Sequence, residues 1–273
     1  MKHKKSVTLI IGICFLSIIF IAAALSFFWL PFPPDEPDPG LRLSAPDSIH
    51  WAGTDKLGRD LFSQLLIGAR YVFYIAVTAP LIAAAIGIPL GIIAASSRRT
   101  VDEGLSFIFD AMIAFPSILL AMLVVTVRGA SMSSAVIAIG ISASAPVARV
   151  TRVNTLAVLA ADYVRAAYAC GVPKLKIILR HVLPNISPII TVQLILIASG
   201  AILAEASLAY LGLGAPQPRA SWGRLLMEAQ SSVMTAPWGA IIPGCAIVTA
   251  VLSLNFLGDG LRELLDPQEE VSI

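Results

Sequence analysis

Six long apolar runs, separated by shorter polar segments, dominate the chain. Each run holds at least 18 residues, and together they cover 6–30, 71–97, 105–127, 131–148, 187–213 and 236–257. A transmembrane helix needs about 20 apolar residues to cross the hydrocarbon core of a bilayer. The pattern therefore predicts an all-α polytopic membrane protein with six transmembrane helices.

The composition agrees with this pattern. Hydrophobic residues make up 57% of the 273 residues and charged residues only 13%, against about 25% in soluble domains. Within the runs the only charged side chains are Asp110 and Glu205. Intramembrane acids are candidates for function. We expect Glu205 to line a pathway or to orient a neighbouring helix, and Asp110 to pair with a nearby basic or backbone group.

The first run has two interpretations. A basic start, "MKHKK", followed by an apolar stretch is also typical of a cleaved signal peptide. The apolar part here spans 25 residues, whereas a signal-peptide core has about 7–15. We therefore predict that 1–30 is retained as an N-terminal transmembrane anchor.

Basic residues are distributed unevenly between the connecting segments. The segments that would share a side with the N-terminus hold 12 of the 19 Lys and Arg residues: 1–5, 98–104, 149–186 and 258–273. Because cytoplasmic loops carry an excess of Lys and Arg, both termini are predicted to be cytoplasmic. The predicted organisation is an extracytoplasmic loop at 31–70, a membrane core at 71–260 containing the cytoplasmic loop 149–186, and a cytoplasmic tail at 261–273.

The most unusual stretch is "RAAYACGVPKLKIILRHVLPN", residues 165–185. Gly171 interrupts the helical pattern, Pro173 suits the first turn of a new helix, and Leu183-Pro184 is expected to end it. Between them an apolar face is predicted at i, i+3, i+4 and i+7 spacing, formed by Leu175, Ile178, Leu179 and Val182. From the residues alone, two interpretations stand equally: a basic helix resting on anionic lipid, or a segment that docks to a cytoplasmic partner.

The spacing of small and proline residues in this stretch resembles the cytoplasmic "EAA" loop of ABC importer permeases. The match rests on Ala166, Ala167, Gly171, Leu183 and Pro184. In that family the loop forms a coupling helix that inserts into a groove on the ATPase subunit. Two positions depart from the pattern. Arg165 stands where the family has its glutamate, and His181 stands where it usually has isoleucine.

Two further stretches resemble the dipeptide, oligopeptide and nickel branch of that family. "HWAGTDKLGRDLFSQLLIGAR" (50–70) is similar to its GTD-x-LGRD signature, and 205–226 with 255–267 is similar to its C-terminal pattern. The resemblance implies a "C-type" permease subunit in the bacterial cytoplasmic membrane. It also implies partners: a B-type permease, two ABC ATPase subunits and an extracytoplasmic solute-binding protein. Nothing indicates nucleic acid.

Local patterns predict several contacts. In 50–70, Thr54 or Asp55 is expected to cap a helix, and Arg59 to pair with Asp55 or Asp60. In the segment between the last two runs, Ser221 is expected to cap a short helix through Val233, with Trp222 and Trp238 at the membrane interface. In the second run, Gly87 and Gly91 should admit a close helix neighbour, and Pro89 and, in the third run, Pro116 can bend their helices.

No motif for catalysis is present. The sequence lacks a G-x-x-x-x-G-K-[ST] loop, so ATP and Mg²⁺ would bind on partner ATPase subunits and not on this chain. The histidines (His3, His50, His181) and cysteines (Cys14, Cys170, Cys245) are scattered, without metal-ligand or disulfide spacing. We predict a non-enzymatic subunit that moves di- or oligopeptides inward by alternating access. The alternatives are a nickel or nickel-chelate permease, a passive channel, and a structural membrane subunit.

Overall fold

The computed structural model describes residues 7–214 and 220–265. Within these ranges the chain is helical, and its only β-type pairing is an isolated bridge between Thr54 and Asp60. The α-helices of the described ranges are α1 (Val7–Leu25), α2 (Leu61–Ser96), α3 (Arg99–Ala114), α4 (Ser117–Arg128), α5 (Met132–Leu159), α6 (Asp162–Ala169), α7 (Lys174–Ile177), α8 (Leu183–Tyr210), α9 (Trp222–Ala229) and α10 (Trp238–Leu265). The basic start at 1–5 and most of the predicted tail, 266–273, lie outside the described residues.

Five helical segments are long and apolar enough to cross a bilayer. A sixth is added if α3 and α4 count as one bent span. The five are α1, α2, α5, the continuous segment from α7 through α8, and α10. The predicted class, an all-α polytopic membrane protein, is therefore confirmed.

The third predicted span is not one straight helix. α3 and α4 meet at an angle of 90°. Phe115, between them, has an extended backbone with ψ of 130°, and Pro116 follows it. Proline disfavours the helical conformation in the residue before it, so the break falls where the sequence placed a possible bend. The bend is much sharper than an ordinary proline kink.

Glycines allow the close approach of α2 to α5. A methyl group added to Gly87 would lie 2.5 Å from the carbonyl oxygen of Ser144, and one added to Gly91 would lie 2.4 Å from that of Ala148. Neither distance is possible for a real side chain, so only glycine fits at these two positions. The predicted close helix neighbour is confirmed, and it is α5.

The long helix α2 connects two ends of the molecule. Its 36 residues rise about 54 Å, at about 1.5 Å per residue. Asp60 caps its start, next to the loop 26–60. At its other end, the Lys174 ammonium donates a hydrogen bond to the carbonyl of Ser96. We call these the loop end and the α6–α7 end.

Candidate functional site

The α6–α7 end contains the predicted helix, glycine turn and second helix. α6 ends at Ala169, and Gly171 has a φ of +78°, in the left-handed region that favours glycine. Pro173 caps the start of α7 with an extended backbone. The buried side chain of Val164 anchors α6 to the bundle. The turn geometry expected from the sequence is therefore present.

The predicted proline stop is wrong. Residues Ile178–Val182 form a π-helical turn, in which the backbone N–H of Leu183 donates to the carbonyl of Ile178. Pro184 then lies in the first turn of α8, and the helical segment runs on to Tyr210. The wider turn re-satisfies the backbone around a proline that has no N–H to donate. The basic segment is thus continuous with a membrane span.

The predicted apolar face of this segment is only partly buried in the structure. Ile177 and Val182 are fully buried, whereas Leu175 and Leu179 are 67% and 56% exposed. The π turn changes the angular spacing of side chains, so a regular i, i+3, i+4, i+7 pattern does not hold across it. The exposed leucines line an open groove of about 550 Å³, together with Pro173, Lys176, Arg180 and Pro184.

The other predicted coupling residues lie on the surface of the same unit. Arg165, Ala166, Gly171 and Pro184 are exposed, and Ala167 and Leu183 are half-buried. The Arg165 side chain is 70% exposed, and its only ion-pair partner in the described part of the chain is the fully exposed Asp162, at 4.0 Å. This surface is open to a partner molecule.

Two ion pairs join α3 to α5 close to the α6–α7 end. Arg152 binds Asp102 through two hydrogen bonds, one of them 2.7 Å between Nη2 and Oδ2. Arg149 lies 3.4 Å from Asp110, with both side chains about 60% exposed. The expectation that Asp110 pairs with a basic group is confirmed.

Glu205 lies inside the bundle and not on an open surface. It is 2% exposed and lies where α8 packs against α9, close to the side chain of Ser221. Its Oε1 atom has no hydrogen-bond partner among the described residues. Of the two expectations for Glu205, this position favours the orientation of a neighbouring helix.

A buried ionic cluster occupies the loop end. Arg59 donates from Nε to Asp55 Oδ2 at 2.7 Å and from Nη2 to Glu228 Oε2 at 2.6 Å, and all three side chains are at most 9% exposed. Burial alone would lower the pKa of Arg59, but the attraction of Asp55 and then Glu228 outweighs it and raises the pKa. The cluster is therefore held by a permanent cation. The predicted pairing of Arg59 with Asp55 is confirmed.

Of the two partners expected for Arg59, the structure selects Asp55, and the expected helix cap at Thr54 or Asp55 is wrong. Asp60, not Thr54 or Asp55, caps α2, by accepting from the backbone N–H and hydroxyl of Ser63, both at 2.7 Å. Its other oxygen lies 2.9 Å from Nδ1 of the buried His50. In the described ranges no group of three or more potential metal-ligating side chains occurs.

The helix α9 confirms one prediction and corrects another. Ser221 caps it, as expected, by accepting from the backbone N–H of Arg224. Trp222, expected at the membrane interface, is instead 4% exposed. Its indole N–H donates to the carbonyl of Leu65 at 3.0 Å, so it fastens α9 to α2. The indole N–H of a buried tryptophan usually donates a hydrogen bond to a buried acceptor.

Sequence patterns could not reveal three of these relationships. Glu228 lies 169 residues from Arg59, Ser96 lies 78 residues from Lys174, and Ser221 at the start of α9 lies close to Glu205 of α8. Each pair joins different helices or loops, with no local periodicity to indicate it. For the third pair, the sequence did offer one signal, which was the isolated acid Glu205 within an apolar run.

Comparison with known proteins identifies similar sequences along almost the whole chain. The family model of the "binding-protein-dependent transport system inner membrane component" matches residues 87–270. The dipeptide transport system permease protein DppC of Alkalihalophilus pseudofirmus is 38% identical over 268 residues, which is 97% of this chain and 87% of that protein. The glutathione transport system permease protein GsiD of Pectobacterium atrosepticum is 37% identical over 270 residues, 97% of this chain and 88% of that protein.

A solved structure shares the fold. An inward-facing form of the MetNI methionine ABC transporter aligns with a TM-score of 0.63 over 74% of this chain and 97% of that chain. The sequence identity is 17%, so the similarity concerns the fold alone.

Proposed function

Because the chain belongs to the family of inner membrane components of binding-protein-dependent transport systems, we propose that it is the C-type permease subunit of an ATP-driven peptide importer. Its membrane-spanning helices make it a multi-pass protein of the inner membrane. The proposed assembly contains a B-type permease, two ABC ATPase subunits that hold ATP and Mg²⁺, and an extracytoplasmic solute-binding protein.

The proposed cargo is a di- or oligopeptide. The support is the similarity at 37–38% identity to permease proteins named for dipeptide and glutathione transport, both peptides. A putative peptide transport system permease protein of Brucella suis is also 38% identical, over 96% of this chain. Nickel or a nickel chelate is the second cargo to test, because the GTD-x-LGRD resemblance extends to nickel permeases.

The observation that carries the mechanism is the exposed α6–α7 unit. It projects Leu175 and Leu179 outward while Ile177 and Val182 hold it to the bundle. An ATPase subunit that binds the exposed leucines would also displace Ile177 and Val182, because all four residues belong to the same helical segment. Because α7 continues into α8 and Lys174 binds the end of α2, the movement would reach two membrane spans directly. This is a physical route for alternating access.

The proposed orientation places the α6–α7 end in the cytoplasm and the loop end outside. The excess of basic residues in 149–186 supports it. In this orientation the buried cluster of Asp55, Arg59 and Glu228 would fix α9 and the loop 26–60 as one rigid outer surface. A rigid surface suits contact with a solute-binding protein, because little ordering entropy is lost on binding.

Uptake measurements test this function. Cells with and without the gene are given a labelled dipeptide and, separately, labelled nickel, and the deletion is complemented with the wild-type chain. Loss of dipeptide uptake alone is the expected result. Loss of nickel uptake alone would replace the proposed cargo. Purification of the tagged chain without any ATPase subunit would contradict the importer itself.

A further inference from the structure

The outer surface of the α6–α7 unit combines two leucines with cations. Leu175 lies two residues before the buried Ile177 in α7, about 160° around the helix from it at about 100° per residue, and Leu179, within the π turn, is 56% exposed. Lys176 and Arg180 border the same groove and are exposed. The groove is therefore apolar at its centre and basic at its edge.

The cations of this surface are not neutralised within the described part of the chain. Lys176 and Arg180 have no ion pair or side-chain hydrogen bond there, and Arg165 has only the exposed Asp162 at 4.0 Å. An exposed pair at that distance contributes little. Lys174 differs from them, because its ammonium is already bound to the Ser96 carbonyl. Three cations thus face outward against one acid.

These cations carry no desolvation penalty while they are exposed to water. Once the segment enters a cleft, however, each cation loses hydration, and the loss must be offset by a nearby opposite charge. A cleft with neutral or basic walls would reject this surface. The chemistry of the partner is therefore constrained by the charges of the chain.

We propose that the cytoplasmic partner of this permease receives α7 in an apolar cleft with carboxylates at its edge, facing Lys176, Arg180 and Arg165. This inference rests on the proposed function and adds the chemistry of the partner surface. Arg165 occupies the position where the similar family loops carry glutamate, so the charge at that point of the interface is reversed. The ATPase subunit that fits this chain has an acid there.

An anionic membrane surface would also attract a basic segment. The geometry favours the protein partner. On the inner side of the segment, Val182 packs in one cluster with Val158 and Leu159 at the end of α5, and Ile177 is fully buried, whereas Leu175 and Leu179 are exposed. A lipid-bound helix would instead turn its leucines toward the bundle side, where the bilayer lies.

The test uses the complete complex, co-expressed and purified in detergent through a tag on this chain. The variant Lys176→Glu/Arg180→Glu is compared with the wild type and with Arg98→Glu, an exposed cation in the turn between α2 and α3. We expect the double reversal to reduce retained ATPase subunit at least about tenfold, and Arg98→Glu to leave it unchanged. Wild-type retention should also fall as the salt concentration rises.

A second arm identifies the opposing charges. Suppressors that restore peptide uptake to Arg165→Glu are selected, and they should replace Asp or Glu by a neutral or basic residue in the ATPase subunit. Full retention by the double variant in detergent, with activity lost only in vesicles containing phosphatidylglycerol, would assign the surface to lipid and overturn the proposal. If even the wild type retained no ATPase subunit, the proposed function itself would fail, which is a distinguishable outcome.

Discussion

Arg59 Nη2 lies 2.6 Å from Glu228 Oε2, although the two residues are 169 positions apart. The contact joins the loop that precedes α2 to the short helix α9. With Asp55 it forms a buried ionic cluster, and Arg224 adds a second ion pair to Glu228 at 2.9 Å. The Arg59 guanidinium thus connects two carboxylates and fastens the loop before α2 to α9.

Replacing Arg59 by Met should destabilise the protein strongly. The change leaves Asp55 buried without its cation, whereas Glu228 keeps its ion pair with Arg224 at 2.9 Å. Breaking a buried ion pair costs about 3–5 kcal/mol. The measurement is the thermal unfolding midpoint of the detergent-purified protein. Arg99→Met is the matched control, because its ion pair with Glu103 has side chains 91% and 62% exposed. Equal midpoints for the two variants would show that the buried cluster contributes no stability.

Gly68→Ala should loosen the attachment of α9. An added methyl group would lie 2.3 Å from Cδ1 of Trp222, so the indole must move and its hydrogen bond to Leu65 is lost. We expect a destabilisation of about 1–3 kcal/mol, as for overpacked sites. Gly104→Ala, in a helix with open space around it, should be neutral or stabilising by up to about 1 kcal/mol. The free energies of unfolding of both variants are measured from denaturation curves in detergent. A Gly68→Ala protein as stable as the Gly104→Ala protein would contradict this prediction.

Gly171→Val should uncouple ATP hydrolysis from peptide uptake. A β-branched residue does not tolerate the φ of +78°, so the turn between α6 and α7 deforms. The control is Gly129→Val, which imposes similar strain at a φ of +86° between α4 and α5, and both sites have open space around them. The ratio of peptide transported to ATP hydrolysed, in reconstituted vesicles, should fall for Gly171→Val alone. A parallel fall for both variants would attribute the effect to general strain.

Glu205→Gln should keep peptide uptake within about twofold of the wild type. The side chain is buried below α9 close to Ser221, and glutamine retains the shape and an oxygen acceptor at that place. Glu205→Ala, in contrast, leaves a cavity and should reduce the amount of assembled complex. Uptake normalised to complex in the membrane distinguishes the roles. A large loss of normalised uptake in Glu205→Gln would place the carboxylate on the transport pathway.

The sequence alone determined the class of the protein and much of the α6–α7 unit. Transmembrane helices follow from long apolar runs because each run must satisfy its own backbone in the bilayer. The turn at Gly171 and the close helix contact at Gly87 and Gly91 could also be predicted from sequence. Only glycine readily adopts the positive φ of the turn, and only glycine leaves room for a helix so close.

Only the tertiary structure decided how the segments combine. The periodicity indicated one apolar face that includes Leu175, Leu179 and Val182, but in the structure Val182 is buried in the bundle while Leu175 and Leu179 are exposed. The third apolar run contained Pro116, yet the angle of 90° depends on how α3 and α4 pack against α5. The i,i+4 spacing of Asp55 and Arg59 indicated their pairing, but nothing in sequence indicated Glu228, because an ion pair between residues 169 positions apart depends on a distance that the fold alone sets.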